Sequence, residues 1–242
     1  MSGSTPGATW QRSELVGTFL DERHTLLPLL DVQEDLIRRL FERSTHAVSR
    51  FIDVGSGDGA MSELLLTATP QSQAVLVDFS EPMLARAERR LARFPGRWRA
   101  VRGDLSEPGW AGALPAGTYS AAVSSFAIHH LPAARKRGLL AELFELLEPG
   151  AMFVNMDVVT VQGPLAGLFD EQMEANAIRA EHRRGGARSD EEVARDQIDD
   201  SEDDRPDSAE DQLRWLRDAG FEDVELHFKW AEGAIFGGVR PS

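Results

Sequence analysis

The stretch "RFIDVGSGDGAMSELLL", residues 50–66, sets Asp53 at the end of an apolar run. It then alternates Gly55, Gly57 and Gly59 with small or polar residues before a helical pattern begins. A strand, a glycine-rich turn and a helix N-terminus in that order suit a nucleotide-like ligand. Glycines accept positive φ and let the ligand lie against the backbone, whose free N–H groups face it. Asp78 closes the next apolar run, where a carboxylate can accept hydrogen bonds from both hydroxyls of a ribose. Asp104 follows the third run in "VRGDL", where a carboxylate can meet an adenine amino group. Asp53 can anchor the loop or reach a ligand's ammonium group.

The glycine spacing alone fits two ligands, and a tight turn with no ligand is the plain alternative. Gly55-x-Gly57-x-x-Ala60 also satisfies the dinucleotide pattern with alanine as its last member. NAD enzymes place an acid at the position of Asp78 too, so that residue does not discriminate. Asp104 does, because a dinucleotide site has no general need for it. Three carboxylates around one pocket suit a cation better than a pyrophosphate. They point to S-adenosylmethionine, a sulfonium without phosphate.

The elements that must position these groups follow from the pattern. Strand-like runs at 50–54, 74–78, 98–104, 119–125 and 151–159 alternate with helical patterns at 60–68, 81–94 and 133–147. The last carries Leu139, Leu140, Leu143, Phe144, Leu146 and Leu147 at core-facing spacing, with Pro149-Gly150 read as its stop. Such alternation predicts βαβ units and a parallel sheet with right-handed crossovers. Residues 1–9 are rich in Gly, Ser, Thr and Pro and are expected to be disordered. Trp10 to Arg43 reads as helical, with a stripe of Leu36, Ile37, Leu40 and Phe41, and Pro28 divides two helices. Residues 160–206 break the rhythm as an irregular or helical insertion. "SAEDQLRWLRDAGF" then reads as a helix with Ser208 as N-cap and Gly220 just past its end. "EDVELHFKW" and "AIFGGV", joined by "AEG", predict an antiparallel hairpin that closes one sheet edge. The expected organisation is a helical extension or lid at 1–45, a ligand-binding core at 46–160, an acidic lid insertion at 161–206, and a last helix and hairpin at 207–242 that complete the sheet.

These residues resemble the class I S-adenosylmethionine-dependent methyltransferases over roughly 45–160 and again over 207–240. The similarity is carried by "FIDVGSGDG", "LVDFSEPMLARAERRL", "VRGDL", "YSAAVSSFAIHHL" and "LLEPGAMFVNMDVV". It implies an α/β, Rossmann-like, seven-stranded and mostly parallel sheet with a reversed last strand and helices on both faces. It implies that Gly55, Ser56, Gly57 and Gly59, with Asp53 beside them, accommodate the methionyl part of the cofactor. Asp78 then holds the ribose, Asp104 lies by the adenine, Phe79 and Met83 flank that base, and Leu105 contacts it; Ser124 belongs to the same site. The demethylated product is S-adenosylhomocysteine. Glu148 and Ala151 stand where the family often has a basic residue and a second glycine, away from the cofactor loop.

On the acceptor side, "SSFAIHHLP" (124–132) follows strand four at the carboxyl edge of the sheet, over the expected ligand crevice. His129 and His130 are the candidate catalytic residues. In the family such a segment serves mainly structure, ahead of acceptor contact or general-base work. Methyl transfer from a sulfonium is an in-line displacement that needs a base only when the acceptor must lose a proton. No metal site is expected, because adjacent histidines should point different ways and no third ligand stands at useful spacing. Trp10, Phe19, Arg23, His24, Phe169, Met173 and Arg179 are candidate linings of an acceptor pocket, each with plain packing or solvation as its alternative. Trp215 and Trp230 fit packing of the last helix and hairpin.

Composition removes other classes. Cysteine is absent, which excludes disulfide and thiolate chemistry. The first ten residues do not form a signal peptide and no apolar run approaches the ~20 residues of a membrane span, so a soluble, cytoplasmic protein is expected. Of the net charge of −14, about −10 falls in residues 190–211, which repels phosphate backbones and disfavours nucleic acid as substrate. That run reads as a solvated face, with a cationic partner as the lesser alternative. "SSFA" after strand four also lacks the Asn/Asp-Pro-Pro-Tyr-like motif of enzymes that methylate flipped bases. The reading is therefore a methyltransferase for a small-molecule O, N or C acceptor, working as monomer or homodimer. A carboxy-S-adenosylmethionine synthase-like enzyme, a non-catalytic binding module and an NAD oxidoreductase are the competitors.

Overall fold

The computed structural model describes residues 23–194 and 204–242. Trp10 and Phe19, the N-terminal segment 1–9 and residues 195–203 of the acidic run lie outside the described residues.

In chain order the elements are α1 (Leu30–Glu42), β1 (Arg50–Val54), α2 (Ala60–Ala68), β2 (Gln73–Asp78), α3 (Glu81–Leu91), β3 (Trp98–Arg102), β4 (Tyr119–Ser125), α4 (Ala133–Leu146), β5 (Leu147–Val158), α5 (Leu168–Arg183), α6 (Ala209–Asp218), β6 (Glu222–Trp230) and β7 (Gly233–Val239). The strands form one sheet in the order β3-β2-β1-β4-β5-β7-β6. All run parallel except β7, which is antiparallel to both β5 and β6. This is the expected α/β sheet with a reversed last strand. The order turns back between β1 and β4, and in an open α/β sheet the ligand crevice lies outside the carboxyl ends of the strands at that point. Register aligns those ends: Val54 pairs with Val77 on one side and Ser124 on the other.

The alternation of side chains along each strand supplies two faces of core. Ile52, Val54, Val75, Val77 and Ala122 pack with Leu139 and Leu143 of α4 and with Trp215 and Leu216 of α6. Phe51, Leu76, Ala121 and Val123 pack on the other face with Ile37 and Phe41 of α1, Leu65 and Leu66 of α2, and Ala87 and Leu91 of α3. Central strands buried on both faces explain why they read as continuous apolar runs. Pro28 and Leu29 (φ 56°) separate α1 from a preceding helical turn, as the proline suggested.

Boundaries differ from the sequence reading at several elements. The third strand ends at Arg102, where the Gly103 N–H gives the Asp78 carbonyl the last bond of the ladder and Asp104 lies beyond it. Helix α3 ends at Leu91, short of Phe94-Pro95, since the residue before a proline is pushed out of the helical region. Helix α4 ends at Leu146, and Leu147 is already extended, fully buried and paired with Tyr119. Pro149-Gly150 therefore lies within β5 rather than at the helix stop.

The longest element in the insertion's described part is the sixteen-residue helix α5. Its N-terminus is capped by Glu232 from the β6–β7 turn: one carboxylate oxygen accepts the Gly167 N–H (2.5 Å) and the other the Phe169 N–H (3.0 Å). Phe169 is buried beside Trp230, with ring centroids 6.4 Å apart, so its role is packing. Helix α6 begins with Ser208 accepting the Asp211 N–H, and Gly220 (φ +104°) follows its end, as the sequence indicated. No helix among the described residues is long and apolar enough to cross a membrane.

Candidate functional site

The glycine loop folds over the end of β2: Gly55 and Ser56 both donate their N–H to the Val77 carbonyl, at 2.8 and 2.9 Å. All three glycines have positive φ, but their surroundings differ. A methyl group on Gly55 would come within 2.3 Å of the Ala127 side chain, and one on Gly59 would press on Ala87, Leu76 and Leu91. At Gly57 a methyl group would meet nothing within 4 Å. Gly55 and Gly59 thus serve close packing, and Gly57 faces open space.

The three carboxylates lie within electrostatic reach of one another beside the loop. Asp78 is buried at the end of β2; one oxygen accepts the Gly57 N–H (2.8 Å) and the other the Ser80 N–H (2.8 Å). Burial pushes its carboxyl above the usual range, against these backbone hydrogen bonds. The Phe79 N–H also contributes, and the carboxylate still keeps acceptor capacity for a ligand hydroxyl. Asp53 is fully buried; one oxygen accepts the Ser62 hydroxyl at 2.6 Å and the other has no hydrogen-bond partner. Burial pushes this carboxyl up to about 7, opposed by Ser62 and assisted by Asp78 and Asp58. The Ser56 hydroxyl is likewise buried without a hydrogen-bond partner. Asp104 is exposed and accepts the Ser106 N–H at 2.9 Å. Met83 and Leu105 are buried and Phe79 is half-buried. The Ser124 hydroxyl is committed to the Val54 carbonyl at 2.7 Å, a tie between two strands.

A residue that sequence reasoning passed over is Asp58, inside the glycine loop. It is buried and paired with Arg90 of α3, which also bonds its carbonyl at 3.1 Å, while Arg23 approaches at 3.8 Å. Arg23 binds Glu34 as well, at 2.9 Å, so it braces the loop rather than facing an acceptor pocket. His24 is exposed near Glu34, Met173 packs in the core, and Arg179 donates to Asn176 on its own helix. A polar cleft of about 340 Å³, lined by His46, Gly150, Glu222 and Arg240, lies at the opposite, amino-end edge of the sheet.

The histidine pair sits in the turn after β4, and the Gly55–Ala127 contact holds that turn against the glycine loop. His129 is buried. Its Nδ1 lies 2.5 Å from Asp157, whose carboxylate also accepts the His129, Val158 and Asn155 N–H groups. Its Nε2 lies 3.2 Å from Asp204, which stands 3.0 Å from Nδ1 of His130. The expectation of diverging histidines is thus corrected: the rings lie 3.9 Å apart between centroids and converge on one carboxylate. Asp204 arrives from the far end of the insertion, which no local spacing reveals. Asp157 left a signal, a lone carboxylate in the apolar run "AMFVNMDVV". Burial pushes the His129 imidazole down, but the two carboxylates outweigh it and raise it to about 9. The same contacts hold Asp204 below the usual carboxylate range despite its burial. With both nitrogens facing carboxylates, this imidazole has no lone pair free to take a proton from an acceptor.

Residues 51–150, which hold this loop, its acids and the histidine turn, match the family described as a methyltransferase domain. Over that stretch the chain is similar to the class I S-adenosylmethionine-dependent methyltransferases. Among curated relatives, an uncharacterized methyltransferase of Mycobacterium tuberculosis is 34% identical over 109 residues, 45% of this chain and 50% of its own length. The trans-aconitate 2-methyltransferase of an Acidovorax species is 32% identical over 142 residues, 58% of this chain and 50% of its own length. The chain spans about half the length of both. Human N-acetylserotonin methyltransferase, solved in complex with S-adenosylmethionine, superimposes with a TM-score of 0.64 at 13% identity, covering 98% of this chain and 59% of that one. At that identity the likeness is one of fold.

Proposed function

We propose that this chain binds S-adenosylmethionine at the β1–α2 loop and transfers its methyl group to a small-molecule acceptor. The observation that carries this reading is the open space at Gly57, whose N–H bonds Asp78, together with two buried polar atoms of the same strand and loop, on Asp53 and Ser56, that lack hydrogen-bond partners. Such buried atoms cost stability unless a ligand satisfies them. The cofactor supplies a methyl group made electrophilic by its sulfonium. Asp78 holds the ribose hydroxyls, Asp53 and Ser56 face the methionyl end, and Asp104 with Phe79, Met83 and Leu105 encloses the adenine. The fold's remaining task is to align an acceptor and exclude water. The turn bearing His129 and His130 borders the loop on the side open to the insertion, and its role there is to shape the acceptor face.

Calorimetric titration of the full chain with S-adenosylmethionine, S-adenosylhomocysteine and NAD tests the reading, together with mass spectrometry of any small molecule released on denaturation. Micromolar binding of the first two is expected, and Asp78→Ala should weaken it by ~1.5–3 kcal/mol, the order of lost charge-assisted hydrogen bonds. Because Asp78 also holds two backbone N–H groups, Asp78→Asn is the control that keeps its shape. NAD binding without S-adenosylmethionine binding would overturn the proposal.

A further inference from the structure

His129, His130 and Asp204 bring two imidazole nitrogens and a carboxylate oxygen within 4.8 Å of one another. We infer that these three residues form a binding site for one divalent first-row transition metal ion, which pins the returning end of the insertion to the turn after β4.

Four observations carry this. The first is spacing. A metal with bonds of about 2.1 Å sets neighbouring ligand atoms about 3.0 Å apart in an octahedron and about 3.4 Å apart in a tetrahedron. The carboxylate oxygen of Asp204 lies 3.2 Å from His129 Nε2 and 3.0 Å from His130 Nδ1. The second is orientation. A ligating histidine characteristically gives its other ring N–H to a carboxylate, which fixes ring and tautomer. Here Asp157, fully buried and accepting from three backbone or amide N–H groups, holds His129 Nδ1 and so aims Nε2 at the site. The third is access: His130 and Asp204 are each about a quarter exposed (25% and 27% of the side chain), which leaves an entry path and room for solvent ligands. The fourth is charge. Asp157 and Asp204 both face the buried imidazole, and a cation in the place of the bridging proton answers both. Two imidazoles and one carboxylate favour Zn²⁺, Fe²⁺ or Ni²⁺ over Mg²⁺ and Ca²⁺, which prefer all-oxygen sites. The site stands beside the glycine loop through the Gly55–Ala127 contact but uses none of the residues assigned to the cofactor.

The test is calorimetric titration of untagged, chelator-treated full chain with Zn²⁺ and, separately, Mg²⁺, without cofactor. One Zn²⁺ per chain should bind at micromolar or tighter concentration, with Mg²⁺ silent over the same range. Asp204→Asn and His130→Gln should each weaken Zn²⁺ binding at least tenfold. Asp157→Asn, which loosens the ring without removing a ligand, should weaken it 10–100-fold. Circular dichroism melts confirm that each variant is folded, and the partly exposed Asp204 and His130 keep the test open if Asp157→Asn fails to fold. With Co²⁺ the wild type should show a visible absorption band that His130→Gln shifts or loses. Two results overturn the inference: absence of stoichiometric Zn²⁺ binding, leaving the cluster an ion-pair network only, or Zn²⁺ binding retained in both Asp204→Asn and His130→Gln, which would place the ion elsewhere, such as on the acidic run.

Discussion

Gly55 and Gly57 stand two residues apart in one loop and answer to different physics. At Gly55 an added methyl group would meet Ala127 at 2.3 Å on a backbone with φ +69°, so Gly55→Ala should lower global stability by ~2–4 kcal/mol, read from urea midpoints. At Gly57 only the positive φ is at stake, so Gly57→Ala should cost ~1 kcal/mol in stability while cutting S-adenosylmethionine affinity much more. Equal stability losses at both positions would contradict this division. Asp53 makes a second residue-scale prediction. Its folded pKa is raised, so its contribution to stability is full below the unfolded value near 4 and is lost as pH rises through about 7. Between pH 5 and pH 8 the wild type should lose about 2–3 kcal/mol more than Asp53→Asn, measured by denaturant unfolding without ligand. Parallel pH profiles would show that burial does not hold Asp53 protonated. The positions of these glycines and of Asp53 were legible in the sequence, because glycines mark a tight turn and an acid ending an apolar run is conspicuous. Asp157 was half legible and Asp204 illegible. The carboxylate that completes the histidine cluster is 74 residues from His130, and only the folded insertion brings them together.

The elements themselves were read well where a short-range rule governs them. Strands β1, β4 and β6 and helix α2 have the boundaries their apolar patterns imply, and α6 has the serine cap and glycine end that its sequence spells out. Errors fell where tertiary pairing overrides local preference, as where Leu147 leaves α4 to pair with Tyr119. The insertion was the least legible part, since α5 depends on a cap delivered from another element. Glu232 supplies two hydrogen bonds and a negative charge at the helix N-terminus. Glu232→Ala should therefore destabilise α5 by ~1–2 kcal/mol while leaving the sheet intact. Hydrogen exchange would show faster opening of residues 168–183 with unchanged protection in β1, β4 and β5. Unchanged exchange in α5 would mean that the helix is held by its packing on Trp230 and Gly233 alone.

At the scale of the whole molecule, the question is how an acidic insertion stays docked on a sheet that is complete without it. The insertion leaves and returns at one point, where Thr160 donates to the Asp207 carbonyl and pairs in parallel with Ser208. Its returning end is held from beneath by Lys136 of α4, a fully buried side chain whose ammonium bonds the Arg205 carbonyl and the Asp207 carboxylate, the latter at 2.7 Å. Arg205 also donates its N–H to the His129 carbonyl at 3.0 Å. A buried ammonium is costly unless paired, so removing Asp207 alone would strand Lys136. Lys136→Met keeps the side chain's length and removes its charge. It should speed hydrogen exchange at residues 204–208 by at least tenfold while lowering global stability by only ~1–2 kcal/mol, because Asp207 is a quarter exposed and recovers solvent. That result would make the insertion a separately opening unit, hinged at Thr160 and Ser208, whose release uncovers His129 beside the cofactor loop. A global loss as large as the local one would instead mean that sheet and insertion unfold together, and that acceptor access must come through the N-terminal side, past Arg23 and Asp58.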